Sequence, residues 1–317
     1  MRLIIHAGIH RTGSTALQYF LANNRSELAL QGFAYPFDQP HHQQIAWALH
    51  RRRMTGQGLL KRLEPLSRST AHTIVLSGED FSIHRKLRWL QAVSETYDEV
   101  RCVFYLRRQD DWLMSWYNQH IKWPFDKTKS TLSPQEFLAT IDDYYWLDYD
   151  SLLERWAQTL GEPAITVAVV EKDQVTDVVG HFSQAIGIDT SGVTLDNGRR
   201  NDSLPVHLLE IARNFALFQL QPRERLTLNA ALRSALKDWA TDSTTVYSPE
   251  ERLAVLERFV QSNRAVARRF FGRDDLFLAP PPKHDDPYFT FPATSREELL
   301  RDWVAPVIRE LVRNATK

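Results

Sequence analysis

The first two dozen residues leave the chain few ways to begin. "RLIIHAG" is an apolar run stopped by glycine, "IHRTG" is short and polar, and "STALQYFLANN" spaces its apolar residues as a helix does. An apolar run ending in glycine reads as a buried parallel strand, because such strands are covered on both faces and lose the polar alternation. A helix is predicted from about residues 14–30, with Leu17, Phe20, Leu21 and Leu28 on its apolar side and Ser14 or Thr15 placed to cap it. Strand, glycine turn and helix together commit the N-terminus to an α/β beginning.

The pattern then repeats. "GFAYP" is a short extended piece, and residues 40–70 read as polar helices rich in arginine. "HTIVLSGEDF" is a second apolar strand ending in a polar turn. After a helix over 85–97, the strand "VRCVFYLRR" runs into the helical "DDWLMSWYNQHIK". A helix near 150–160, the strand "AITVAVVEK" and the helix "VTDVVGHFSQAIG" complete the alternation. Alternating strands and helices predict a parallel sheet flanked by helices on both faces. Beyond Leu204 the strands stop, and helical patterns over 204–219, 224–239, 249–271 and 295–313 follow, interrupted by the connector "APPPKHDDP". The expectation is a single domain over 1–317, with an α/β core over 1–203 and a helical C-terminal section over 204–317.

Thirty-nine basic residues balance thirty-nine acidic ones, so the 317-residue chain lacks the electrostatic footprint of a nucleic-acid binder. Any anion it binds must be gripped by a local cluster. Cys102 is the single cysteine, which excludes an intrachain disulfide and a cysteine-based zinc site. The apolar start is too short for a signal-peptide core, and the longest apolar stretch, "AITVAVV", is strand-sized. A cytoplasmic protein with no integral membrane segment is expected.

Gly8 and Gly13 have the spacing of the phosphate-loop pattern G-x-x-x-x-G-K-[ST], yet Ser14 stands where that pattern has lysine. The nearest cation is Arg11, inside the loop. A helix N-terminus presents free backbone N–H groups and the positive end of the helix dipole, and the hydroxyls of Thr12, Ser14 and Thr15 are additional donors. A nucleoside triphosphate needs lysine and magnesium as well. A single 5′-phosphate carrying a sulfuryl group has less charge to neutralise, and one cation over the breaking bond can suffice.

"HAGIHRTGSTALQ" resembles the 5′-phosphosulfate loop of the sulfotransferases that use 3′-phosphoadenosine 5′-phosphosulfate. It is closest in style to bacterial members with loops of the form H-x-G-x-x-K-T-G-[ST]-[ST]-x-L-Q. The resemblance implies a P-loop-NTPase-like three-layer sandwich, a donor held by His10, Arg11, Thr12, Gly13, Ser14 and Thr15, and chemistry that requires no metal. Arg11 replaces the family's lysine. A guanidinium retains charge stabilisation but cannot release a proton at neutral pH.

Arg107 ends the third strand and Ser115 follows eight positions later, about 9 Å along a helix starting near Gln109. An arginine at a strand end ordinarily just solvates. The resemblance implies that the pair binds the donor's 3′-phosphate, with Arg108 either sharing that role or facing water. "GRRNDSL" offers Arg199 and Arg200 before a helix that Asp202 or Ser203 can cap. The likeness of this segment to the family's R-x-N-x-S-L implies that Arg200, or Arg199, closes over the same phosphate.

Groups at the carboxyl ends of parallel strands face one crevice. Glu79 in "LSGED" is therefore the candidate general base for an acceptor hydroxyl, with His10 and His84 in reserve. Asp80 can instead cap the following turn. Trp112, Trp116 and Trp123 fit either a core or a sugar-stacking face. Arg51, Arg52, Arg53, Lys61 and Arg62 read as a solvated face or as a collector of an anionic polymer. The expected activity is transfer of a sulfuryl group to a hydroxyl of a carbohydrate. The alternatives are a P-loop kinase or nucleotidase with Glu79 or Asp80 on magnesium, and a sulfotransferase-fold binding module.

Overall fold

Strands β1 (Arg2–His6), β2 (Phe33–Ala34), β3 (Thr73–Ser77), β4 (Glu99–Leu106) and β5 (Ile165–Val169) form one sheet in the order β2-β3-β1-β4-β5, every pairing parallel. They are seen in a computed structural model that describes residues 1–67, 69–193 and 203–315. The central strands are apolar on both sides because helices cover both sides. Ile4, Val75, Val103, Tyr105 and Ala168 point to one face, where Leu17, Phe20 and Leu21 of α1 (Ser14–Asn23) meet Phe182 and Ile186. On the other face Phe104 meets the Trp156 ring edge-on at 5.3 Å. The result is an α/β sandwich of three layers, as the alternation predicts.

Between the strands lie α2 (Arg25–Leu30), α3 (Gln43–His50), α4 (Gly56–Ser67), α5 (Arg88–Ser94), α6 (Gln109–Lys122), α7 (Pro134–Leu138) and α8 (Tyr149–Leu160), and α9 (Val178–Ile186) follows β5. The later part is helical, with α10 (Val206–Asn214), α11 (Pro222–Ala235), α12 (Pro249–Arg258), α13 (Val260–Val266), α14 (Arg296–Glu298) and α15 (Ala305–Ala315).

Several local expectations need correcting. The helix expected over 14–30 is two helices, because the Asn24 side chain donates to the Phe20 carbonyl at 2.8 Å and ends α1. Neither Ser14 nor Thr15 caps α1, since Gly13 occupies the N-cap in a left-handed conformation, φ 85°. Pro205 precedes α10 with no side-chain cap, so Ser203 does not fill that role, and Asp202 lies outside the described residues.

The chain divides into two compact units. The first comprises Met1–Arg108, Tyr145–Asn201 and Arg258–Pro280, and the second Gln109–Tyr144, Asp202–Glu257 and Pro281–Lys317. The break expected at 203/204 marks where the strands end, but both units cross it. In the second unit Trp112 and Trp116 are buried and stacked at 5.5 Å, which is core packing rather than an exposed sugar platform.

Candidate functional site

The chain leaves β1, builds β2 and β3 on one side, and then crosses to β4 and β5 on the other. The carboxyl end of β1 is thus the switch point where an open parallel sheet forms its crevice. Three segments of the first unit end there: loop 7–13, the Gly78–Glu79–Asp80 turn after β3, and Arg107 after β4.

The loop is tight. A Cβ on Gly8 would lie 2.8 Å from His6 Nε2 and 3.2 Å from Thr12 Oγ1, so only glycine lets the backbone pass over the buried imidazole. Arg11 is left-handed at φ 71°, as is Gly13 at φ 85°. For arginine this conformation costs about 1–3 kcal/mol and is characteristic of functional sites. Thr12 is buried and donates its hydroxyl to the Ile9 carbonyl at 2.7 Å. Its proton is therefore committed within the loop, which corrects its reading as a donor to an anion. Ser14 is also buried, yet its Oγ has no partner among the described residues. No side chain caps α1 and its first turn holds no acid. An unused hydroxyl thus shares the positive end of a ten-residue helix. Thr15 is half-buried beside it.

Arg107 Nη1 donates to the Arg11 carbonyl at 3.0 Å, which locks the strand-end arginine to the loop. Burial pushes the Arg11 guanidinium down to about 10, the neighbouring Arg107 charge pushes the same way, and Glu79 opposes both. Arg11 remains a cation at neutral pH, held against another cation. Glu79 is half-buried, and Gln18 of α1 donates to its Oε2 at 3.1 Å. Gln18 received no role from the sequence alone. The only available signal was its place as the last residue of the loop pattern.

His10 Nε2 lies 3.4 Å from Asp80 Oδ1, with both side chains largely buried. Burial works against charge on His10, but the bond to Asp80, the Asp80 charge and the Glu79 charge outweigh it and raise the histidine above its ordinary value. Burial likewise opposes the Asp80 carboxylate, but the hydrogen bond and charge of His10, with Gln43 and Trp47, hold it below its ordinary value. Asp80 is paired with His10 rather than capping a turn, and the His10 Nε2 faces that carboxylate. His84 is engaged at both ring nitrogens. It is buried, Trp89 donates to its Nδ1 at 2.8 Å, and its Nε2 donates to the Ala46 carbonyl at 2.9 Å. Burial pushes it down to about 4.

Arg108 is buried and donates to the Pro280 carbonyl at 2.9 Å, so it does not face water. Ser115 is buried on α6 in the second unit, whereas Arg107 belongs to the first. Arg199 and Arg200 lie outside the described residues. Arg51, Arg52, Arg53, Lys61 and Arg62 are exposed. Among the described residues no group of three or more histidines, cysteines or acids is placed to hold a metal ion, and no helix is long and apolar enough to cross a membrane.

Fold and site together define an α/β protein with a cation-lined loop at the switch point of a parallel sheet. No protein-family profile matches the chain. An uncharacterized protein of Archaeoglobus fulgidus is 30% identical over 212 residues, covering 65% of this chain and 55% of that protein. The chain thus spans about half the length of this curated relative. A solved sulfotransferase from Alicyclobacillus acidocaldarius is similar over 84% of this chain and 98% of that one, with a TM-score of 0.43 and 16% identity. A likeness of that size decides neither donor nor acceptor, so function is read from the site itself.

Proposed function

We propose that the protein is a sulfotransferase that moves a sulfuryl group from 3′-phosphoadenosine 5′-phosphosulfate to a hydroxyl of a carbohydrate. The observation that carries this reading is the pairing of Arg11 and Arg107 beside the unused Ser14 hydroxyl at the start of α1. A buried orphan hydroxyl at a helix start where two like charges meet favours an incoming anion. Lysine is absent after Gly13, which suits a 5′-phosphosulfate better than a triphosphate.

The donor, when bound, supplies an activated sulfuryl group. The chain's own residues do the rest. Loop N–H groups, the Ser14 hydroxyl and Arg11 hold the 5′-phosphate and stabilise the charge that builds on it. Such preorganised donors are commonly worth more than any other single effect. Arg11 keeps its proton, so it stabilises the leaving phosphate without protonating it. Glu79, oriented by Gln18, accepts the acceptor's hydroxyl proton at its carboxylate. Arg107, Ser115 and Arg200 are assigned the 3′-phosphate. One Arg107 donor holds the Arg11 carbonyl, which fixes the guanidinium at the loop.

The test is transfer of labelled sulfate from the donor to a panel of hydroxylated acceptors, carbohydrates foremost. Arg11→Ala is expected to lower kcat/KM by about 10²–10³, the usual cost of losing one preorganised donor. Transfer that is absent throughout the panel, together with ATP turnover abolished by a chelator, would overturn the reading in favour of a P-loop kinase. Tight nucleotide binding with no transfer would instead favour a binding module.

A further inference from the structure

A second cationic cluster lies beside the loop, in the same unit. The Arg85 guanidinium sits 3.9 Å from the centroid of the Tyr145 ring, and the Arg155 guanidinium lies 5.9 Å from it. Tyr145 is held in place by donating its hydroxyl to the Ile83 carbonyl. Arg155 extends from α8, and its Nε and Nη2 are buried without a hydrogen-bond partner among the described residues. The acid whose charge reaches Arg155 is Asp148. That carboxylate is already occupied by the Ser151 amide and hydroxyl at 3.1 and 2.8 Å and by the Ser262 hydroxyl at 2.8 Å. Two guanidiniums therefore flank one ring, with no ion pair to a carboxylate among the described residues.

Such a pair is repulsive, and Arg155 feels Arg85 as a like charge. Buried guanidinium N–H groups without acceptors cost free energy that an incoming oxyanion would recover. The cluster also has a defined direction. Trp146 follows Tyr145 in the chain with ring centroids 5.2 Å apart, and its ring lies 6.2 Å from that of His10. His10 in turn holds Asp80, the residue after Glu79. A half-buried indole thus lies between Tyr145, the ring under the cationic pair, and His10, which pairs with the residue after the proposed base.

We infer that Arg85 and Arg155 form an acceptor subsite for a carboxylate or sulfate on an acidic sugar, with Trp146 as the apolar wall between that anion and the reacting hydroxyl. This rests on the carbohydrate reading above and narrows it to anionic saccharides. Arg51, which lies 5.4 Å over the ring of Trp47, extends positive charge along α3, whose Trp47 bonds Asp80.

The experiment is calorimetric titration of the full chain, with and without 3′,5′-adenosine bisphosphate. The ligands are a tetrasaccharide of alternating glucuronate and N-acetylglucosamine, its carboxyl-reduced neutral form, and that neutral form carrying one sulfate ester. A charged ligand is expected to bind at least about tenfold tighter than the neutral one, the worth of one charge-assisted bond. Arg85→Ala, an exposed substitution that leaves the fold intact, and Arg155→Gln are each expected to abolish that preference and to leave bisphosphate affinity unchanged. Whichever charged ligand is preferred identifies the anion as carboxylate or sulfate. Equal binding of charged and neutral forms would overturn the subsite, as would a loss of bisphosphate affinity in either variant, because the pair would then serve the donor. If the bisphosphate fails to bind at all, the donor reading falls while the saccharide arm still decides the subsite.

Discussion

Arg11 combines a strained backbone, a buried guanidinium and a cationic neighbour, and each is a cost that a bound phosphate offsets. Arg11→Ala is expected to weaken 3′,5′-adenosine bisphosphate binding by about tenfold or more, whereas Arg11→Lys keeps the charge and stays within a few-fold. Equal affinities for the two variants in a calorimetric titration would remove Arg11 from the site. Gly8→Ala places a methyl 2.8 Å from an imidazole already packed by Tyr105 and Phe182. It is expected to destabilise the fold by about 1–3 kcal/mol in urea titration. The His10–Asp80 pair sets a pH window. The raised His10 contributes fully below 6.5 and fades as pH rises through its folded value. The lowered Asp80 contributes fully above 3.8 and fades as pH falls through its folded value. Stability from the pair should therefore plateau between those limits, and Asp80→Asn should flatten the profile on both sides. The sequence revealed the loop because its glycines and Arg11 are neighbours in the chain. It did not reveal Gln18 on Glu79, 61 residues apart, or the His10–Asp80 pair, because nothing local links their side chains.

Among the elements, the strands were the most legible, since burial on both faces leaves an apolar run that few other structures tolerate. Helix ends were less so. Whether the helix continued past Asn24 depended on a side chain competing for the Phe20 carbonyl, a choice that apolar spacing does not encode. The next residue turns that break into a brace. Arg25 donates to the carbonyls of Ala22, Tyr35, Phe37 and Gln39, at 2.9, 3.1, 2.6 and 3.1 Å. It ties the segment after β2, including left-handed Phe37, back to α2. Arg25→Ala is expected to cost ~2–3 kcal/mol, because partly buried carbonyls lose charge-assisted donors. A chemical-denaturation midpoint equal to that of the wild type would show that water replaces those bonds without loss.

For the whole molecule, equal numbers of acidic and basic residues mean that recognition depends on where cations are left without carboxylates rather than on overall charge. Among the described residues of the first unit, like charges gather at Arg11 with Arg107, and Arg85 and Arg155 gather without an ion pair to a carboxylate. The division into two units was hidden from the sequence, where the strand pattern simply stops near 204, because the grouping depends on contacts between distant segments. The central claim is that the switch-point loop grips a nucleotide through its 5′-phosphate and needs neither lysine nor magnesium. Calorimetric titration with 3′,5′-adenosine bisphosphate beside magnesium–ATP tests it most directly. The account predicts tight binding of the bisphosphate, lost in Arg11→Ala, and none of magnesium–ATP. Preference for magnesium–ATP, or bisphosphate binding indifferent to Arg11, would contradict it.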